Sequence, residues 1–232
     1  MSELGYRFVR GMAQLVVKSC LCLSVTGAEN IPPAGAYVGI SNHLGRLDPL
    51  LVFSFLDRRD VVMLVAEKYR QTPGMPWLVR QLDGIFVDRY NSDFATVREA
   101  LGRLKKGSVL AIAPEGTRSK TESLLPGQPG AAFLAARGGV PILPVGITGT
   151  EDRKVAGNLK RLRRTPVHLN IGQPFHLAPL PPGDREAALA AYTDEIMCRI
   201  AALLPAAYHG VYAGHPRLAR LLAEQAQPAA AA

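Results

Sequence analysis

Short apolar runs alternate with longer helical stretches along this 232-residue chain, and that alternation most narrows the folds open to it. The pattern predicts strands over 21–25, 36–40, 61–65, 85–87, 109–113, 142–147 and 167–171. Helices are predicted over 5–20, 49–56, 92–106, 131–137 and 185–204. Strands alternating with helices in this way define the α/β class. There is no internal repeat and no second-domain boundary.

Two of the helices have readable faces. In 92–106, Ser92 is placed to cap, Phe94, Val97, Leu101 and Leu104 share one side, and Glu99 and Arg103 stand four residues apart. Lys105 and Lys106 sit at the negative end of the helix dipole, before Gly107. In 5–20, an apolar stripe of Phe8, Met12, Leu15, Val16 and Cys20 runs beside Arg7, Arg10 and Lys18. Such a stripe either packs on its own domain or lies on a membrane.

Asn42-His43-Leu44-Gly45-Arg46-Leu47-Asp48 follows an apolar strand and pairs a histidine with an aspartate. Imidazole acts as a base near neutrality, and a carboxylate on its far nitrogen fixes the tautomer and stabilises the imidazolium. Five positions on a regular helix turn by about 500°, which would set the two side chains some 140° apart. They meet only if His43 lies on a loop and Asp48 opens the next helix. Asp48-Pro49 suits a helix start, with Asp at the cap and Pro at the first position. The plainer alternative is a capping aspartate beside an ordinary turn histidine.

Charge points to the partner class. Lys plus Arg number 27 against 19 Asp plus Glu, a net charge of +8, which suits an anionic partner: nucleic acid, phospholipid headgroups, or a phosphorylated substrate or cofactor. An aromatic content of 6% disfavours a base-stacking nucleic-acid surface. Cys20, Cys22 and Cys198 form neither a disulfide framework nor a zinc pattern, so a reduced cytoplasmic setting is expected. No apolar stretch reaches the ~18 residues of a membrane span, and no signal-peptide pattern opens the chain.

Four segments then fall in order: the His43/Asp48 loop, Gly84-Ile85-Phe86-Val87-Asp88-Arg89, Pro114-Glu115-Gly116-Thr117-Arg118-Ser119, and Val140-Pro141-Ile142-Leu143-Pro144-Val145. The set resembles the glycerolipid acyltransferase family, whose best-known members are the 1-acylglycerol-3-phosphate acyltransferases. The likeness covers about residues 36–150 and weakens through Gly172-Gln173-Pro174-Phe175.

The resemblance implies a single domain with a mixed β-sheet flanked by helices, glycerol-3-phosphate acyltransferase-like, preceded by an N-terminal amphipathic helix. Residues 1–35 would be that helix and a lead-in strand, 36–150 the motif-bearing core, 151–224 the rest of the same domain, and 225–232 a disordered tail. It implies His43 as general base and Asp48 as its partner. Arg89, Glu115, Gly116, Thr117 and Arg118 would serve recognition of the acceptor phosphate, with Glu115 orienting Arg118 or another donor because its own charge repels phosphate. Arginine's planar fork suits that anion.

The implied reaction is direct acyl transfer from an acyl-CoA or acyl-carrier-protein thioester to the free hydroxyl of lysophosphatidic acid, with no metal, no cofactor and no protein nucleophile. The expected setting is the cytoplasmic face of a membrane, held peripherally (monotopic), with a lysophospholipid acceptor and a thioester donor as partners and no nucleic acid.

Two departures stand out. A serine common two residues after the histidine is Gly45, and the aromatic residue usual before Pro-Glu-Gly is Ala113, with Leu125-Pro126-Gly127-Gln128-Pro129-Gly130 replacing a basic stretch. Phe86 is expected in the core, and the Pro141 segment as an apolar wall. The basic run 153–164 is either a solvated loop or a contact for anionic lipid or coenzyme A phosphates. Other acceptors (glycerol 3-phosphate, a glycolipid) remain open, as does a non-catalytic basic membrane-binding protein. A serine-hydrolase elbow is absent, since Gly39-Ile40-Ser41-Asn42-His43 lacks its second glycine. Gly102 to Ser108 likewise lacks the Lys-Ser/Thr of a nucleotide loop.

Overall fold

A computed structural model describes residues 3–56, 58–88 and 94–226. In chain order the elements are α1 (Glu3–Cys20), β1 (Leu21–Thr26), β2 (Tyr37–Ser41), α2 (Asp48–Phe55), β3 (Val61–Ala66), α3 (Met75–Gln81), β4 (Ile85–Val87) and α4 (Phe94–Lys105). They continue as β5 (Val109–Ile112), α5 (Gly130–Gly138), β6 (Ile142–Thr148), α6 (Asp152–Lys160), β7 (Thr165–Ile171), α7 (Arg185–Ala201) and α8 (Pro216–Ala226).

The strands form one sheet in the order β1-β7-β6-β2-β5-β3-β4. The five from β6 to β4 run parallel, while β7 pairs antiparallel with β6 and parallel with β1. The sheet is therefore mixed.

Alternation along β2 shows how the sheet is covered. Val38 and Ile40 point into the cluster built with Leu134 and Ala135 of α5, Leu104 of α4 and Ile196 of α7. Tyr37 points the other way, into a cluster with Val109, Leu143 and Ile171 that Val52 and Phe55 of α2 overlie. Helices on both faces are what a mostly parallel, apolar sheet requires. Six apolar residues of the eight in α2 fit a helix covered on two sides, by the sheet beneath and α1 above.

Several expectations are corrected. The inward face of α1 is Tyr6, Val9, Ala13 and Val17; Phe8, Met12 and Leu15 of the anticipated stripe face outward, with Phe8 63% exposed. In α4, Leu104 is buried and Val97 and Leu101 pack against the core as expected, but Phe94 at the first position is exposed and Ala100 is buried in the same face; Ser92 lies outside the described residues. Phe86 is half-buried, with the Arg70 guanidinium over its ring at 4.4 Å. The basic run begins as helix α6, and α8 extends through Gln225 and Ala226, the start of the expected tail. The Glu99–Arg103 pair forms, and Arg103 also reaches Asp83.

The two faces of α1 make opposite predictions. Ala13→Leu overfills a packed site and should lower unfolding stability by about 1–3 kcal/mol. Phe8→Ser should change it by no more than about 0.5 kcal/mol. Urea denaturation of the two variants measures the contrast.

Candidate active site

Because β4, β3, β5, β2 and β6 are parallel, the chain leaves each of them at the same sheet edge. β2 lies between β5 and β6, so the loop after it is flanked by the loops after those two strands. Residues 43–47, 113–119 and 149–151 are thereby brought together, although they are far apart in sequence.

The main chain of His43 is held by the loop after β5. Its N–H donates to Glu115 Oε1 at 2.8 Å, and its carbonyl accepts from the Ser119 N–H at 2.8 Å. Just before it, Asn42 clamps β6 with both ends of its amide: Nδ2 donates to the Ile147 carbonyl and Oδ1 accepts the Ile147 N–H. Only a side-chain amide offers donor and acceptor in that arrangement.

The ring is set by Asp48. His43 Nδ1 lies 2.7 Å from Asp48 Oδ2, which also accepts the N–H groups of Leu44 and Gly45 at 2.8 and 3.0 Å. Asp48 is the first residue of α2 and Leu47 occupies the cap. The carboxylate thus bonds backwards to the loop, and the capping-aspartate alternative fails. A carboxylate at Nδ1 places the ring proton there and leaves Nε2 as the basic nitrogen.

The histidine stands on a cavity of about 820 Å³, with Asp48, Ala113 and Gly116 also in its lining. From this edge the cavity continues along the sheet over Gly39, Leu143 and Val145 to Tyr37. The Pro141 segment therefore supplies part of an apolar wall through Leu143 and Val145.

The loop after β5 turns at Gly116, whose φ of 67° and N–H bond to the Ala113 carbonyl require a residue without a Cβ penalty. Arg118 Nη1 lies 2.5 Å from Asp152 Oδ2, and Asp152 Oδ1 accepts the Arg46 N–H at 2.8 Å. Glu115 does not orient Arg118. Its carboxylate is buried between His43 and Leu125, whose N–H reaches Oε2 at 3.0 Å. Arg89 lies outside the described residues.

Gly45 also has a local reason. A Cβ there would stand 1.8 Å from the Thr150 carbonyl oxygen, so a serine cannot fit while the loop after β6 holds its place. Asn42, Ser119 and Asp152 were not singled out from the sequence. An amide directly after a strand and directly before the histidine was the available signal for Asn42; the other two depend on strand order.

Cys198, His215 and Asp194 align in a nucleophile-like series between α7 and α8, with 3.3 Å from Sγ to Nδ1 and 3.8 Å from Nε2 to the carboxylate. Burial pushes the thiol up to about 11, and His215 Nδ1 already accepts the Arg217 N–H. This contact joins helices and lies outside the cavity lining.

Burial pushes Glu115 up to about 7, against the pull of its two backbone donors. The folded chain then keeps this proton to higher pH than the unfolded chain, whose value is near 4.5. Stability from this group is fully present below pH 4.5, is lost as pH rises toward 7 and levels off above it, a change of about 3 kcal/mol. Glu115→Gln should flatten that slope in urea denaturation at pH 5 and pH 8. Its NH₂ would also face one of the two backbone N–H donors, costing about 1–3 kcal/mol.

Comparison with known proteins gives this edge a lineage. The acyltransferase family profile matches residues 22–148. The 1-acyl-sn-glycerol-3-phosphate acyltransferase of Bacillus subtilis is 23% identical over 195 residues, covering 84% of this chain and 94% of that protein. The human 1-acyl-sn-glycerol-3-phosphate acyltransferase alpha is 34% identical over 134 residues, covering 56% of this chain and 47% of that protein. The chain thus spans nearly all of the first relative's length and about half of the second's. The crystal structure of the 1-acyl-sn-glycerophosphate acyltransferase from Thermotoga maritima aligns with a TM-score of 0.62 at 25% identity, over 97% of this chain and 81% of that one. With more than half its length matched and the fold shared, the chain belongs to the glycerolipid acyltransferase family, O-acyltransferases acting on glycerophospholipid substrates with an acyl-CoA-like donor.

Proposed function

We propose that this enzyme transfers a fatty acyl group from an acyl thioester to the free hydroxyl of 1-acylglycerol 3-phosphate, with His43 as the base. The observation that carries the reading is the 2.7 Å contact between His43 Nδ1 and Asp48 on the apolar cavity. Nε2 takes the hydroxyl proton as the acceptor oxygen attacks the thioester carbonyl. The tetrahedral intermediate collapses, the carbon–sulfur bond breaks, and the proton passes from Nε2 to the departing thiolate. Asp48 holds the ring and stabilises the imidazolium between the two proton movements. The acyl chain lies along the cavity over Gly39 toward Tyr37.

Arg118 receives the acceptor phosphate, which takes the place of Asp152 on the guanidinium. Gly116 and Thr117 shape that loop, and Arg89 serves as a second phosphate contact. Glu115 supports the reading indirectly, by fixing the main chain of His43.

A membrane surface is the proposed setting of the reaction. Among the described residues no helix is long and apolar enough to cross a bilayer. The outward stripe of α1, comprising Leu4, Phe8, Met12 and Leu15, is apolar and exposed, with Arg7 and Lys18 at its border. That is the pattern of a helix lying in the headgroup boundary.

Thiol release from acyl-CoA, with and without lysophosphatidic acid, tests the proposal. Wild type should release thiol only with acceptor, and His43→Ala should lower kcat by about 10²–10⁴. Release without acceptor would indicate a thioesterase, and a preference for glycerol 3-phosphate would move the acceptor to that molecule. Arg118→Ala should raise KM for lysophosphatidic acid and leave KM for acyl-CoA unchanged; an unaltered acceptor KM would remove the phosphate assignment.

A further inference from the structure

At the end of α6 far from the cavity, the chain turns through Lys160-Arg161-Leu162-Arg163-Arg164 into β7. The helix closes in a Schellman pattern. Arg163 N–H donates to the Asn158 carbonyl and Leu162 N–H to the Leu159 carbonyl, both at 2.9 Å. Asn158 braces the turn through Thr165 Oγ1 at 3.1 Å. The left-handed position of this motif is ordinarily glycine, but here it is Leu162, with φ of 54°. The same side chain is 97% exposed.

Two costs coincide at Leu162. Its backbone favours glycine, and its side chain is apolar in water. Packing within the molecule accounts for neither. Lys160, Arg161, Arg163 and Arg164 surround it and are all exposed. The nearest acidic residues in sequence are Asp152, at the opposite end of α6, and Asp184. Arg164 Nη1 reaches the Lys18 carbonyl at 3.5 Å, so the turn abuts the C-terminal end of α1.

We propose that the 160–164 turn is a second lipid contact, in which Leu162 enters the acyl boundary of an anionic bilayer while the four cations hold headgroup phosphates. The proposal rests on the membrane-surface reading above and adds a cluster of four cations to the apolar stripe of α1 and its bordering Arg7 and Lys18. Phosphates of a soluble thioester donor would satisfy the cations but leave Leu162 in water, and the leucine therefore decides for the bilayer. Each cation near an anionic surface strengthens binding by about fivefold, screened by salt.

The test is co-sedimentation of the full chain with vesicles of phosphatidylcholine alone or mixed with phosphatidylglycerol. Leu162→Gly should bind the mixed vesicles more weakly, on the order of tenfold, while its melting temperature holds or rises because glycine relieves the backbone. Arg161→Glu with Arg163→Glu should weaken binding to mixed vesicles by about 25-fold or more and leave binding to phosphatidylcholine unchanged. Both variants should retain acyl transfer in detergent. Unchanged vesicle binding would overturn the proposal, as would equal losses of the charge variant on both vesicle types. A raised acyl-CoA KM with vesicle binding intact would assign the turn to the donor instead, and tighter binding to single-stranded RNA than to mixed vesicles would assign it to nucleic acid. Sedimentation needs no turnover, so a failure of the catalytic reading appears in the wild-type detergent assay and leaves this result interpretable.

Discussion

His43 is held at three points by groups from other segments, and the arrangement of the sheet edge follows from that. Glu115 takes its N–H, Ser119 supplies its carbonyl with a donor, and Asp48 takes Nδ1. Only Nε2 remains for a substrate. Orientation of this quality is what a general base requires, because proton transfer depends on reach and angle before it depends on pKa. It is also costly. Burial pushes Glu115 up to about 7, and Asp48 Oδ1 and Thr150 Oγ1 are buried without a hydrogen-bond partner among the described residues. Unsatisfied polar atoms gathered beside one loop are a departure from ordinary packing that stability alone would not favour.

Much of the fold was legible because its strands are short apolar runs between helical stretches, and all seven sequence segments predicted as strands are strands. The Gly84 to Arg89 segment was placed correctly as far as Val87. Less legible was which side of a helix faces in. In α1 both faces carry apolar residues, so periodicity alone picked Phe8, Met12 and Leu15, and burial went to Tyr6, Val9, Ala13 and Val17. A sequence moment points to the more apolar side, and at a lipid boundary that side is the outer one.

The candidate site shows the same division. His43 and Asp48 are five residues apart and could be related by local geometry. Asp152 could not, because its approach to Arg46 and Arg118 depends on β6 lying beside β2. Glu115 was named but misread: next to Arg118 in a motif, it was expected to serve the arginine. Burial turned it toward the backbone of His43 and Leu125, since a carboxylate out of water is drawn to N–H donors.

Gly45 links these two kinds of error. Viewed within its own motif, it is the loss of a serine and of whatever hydrogen bond that serine makes. In the folded chain its missing side chain is the space occupied by the Thr150 carbonyl. The neighbouring loop then contributes Asp152, which bonds the Arg46 N–H and so restrains the same loop the serine would have restrained. The departure in one segment is therefore matched by a contact from another, and the loop after β2 can be interpreted only together with the loop after β6. A serine placed at 45 without moving residues 149–152 would not restore the family pattern; it would displace the backbone that seats His43.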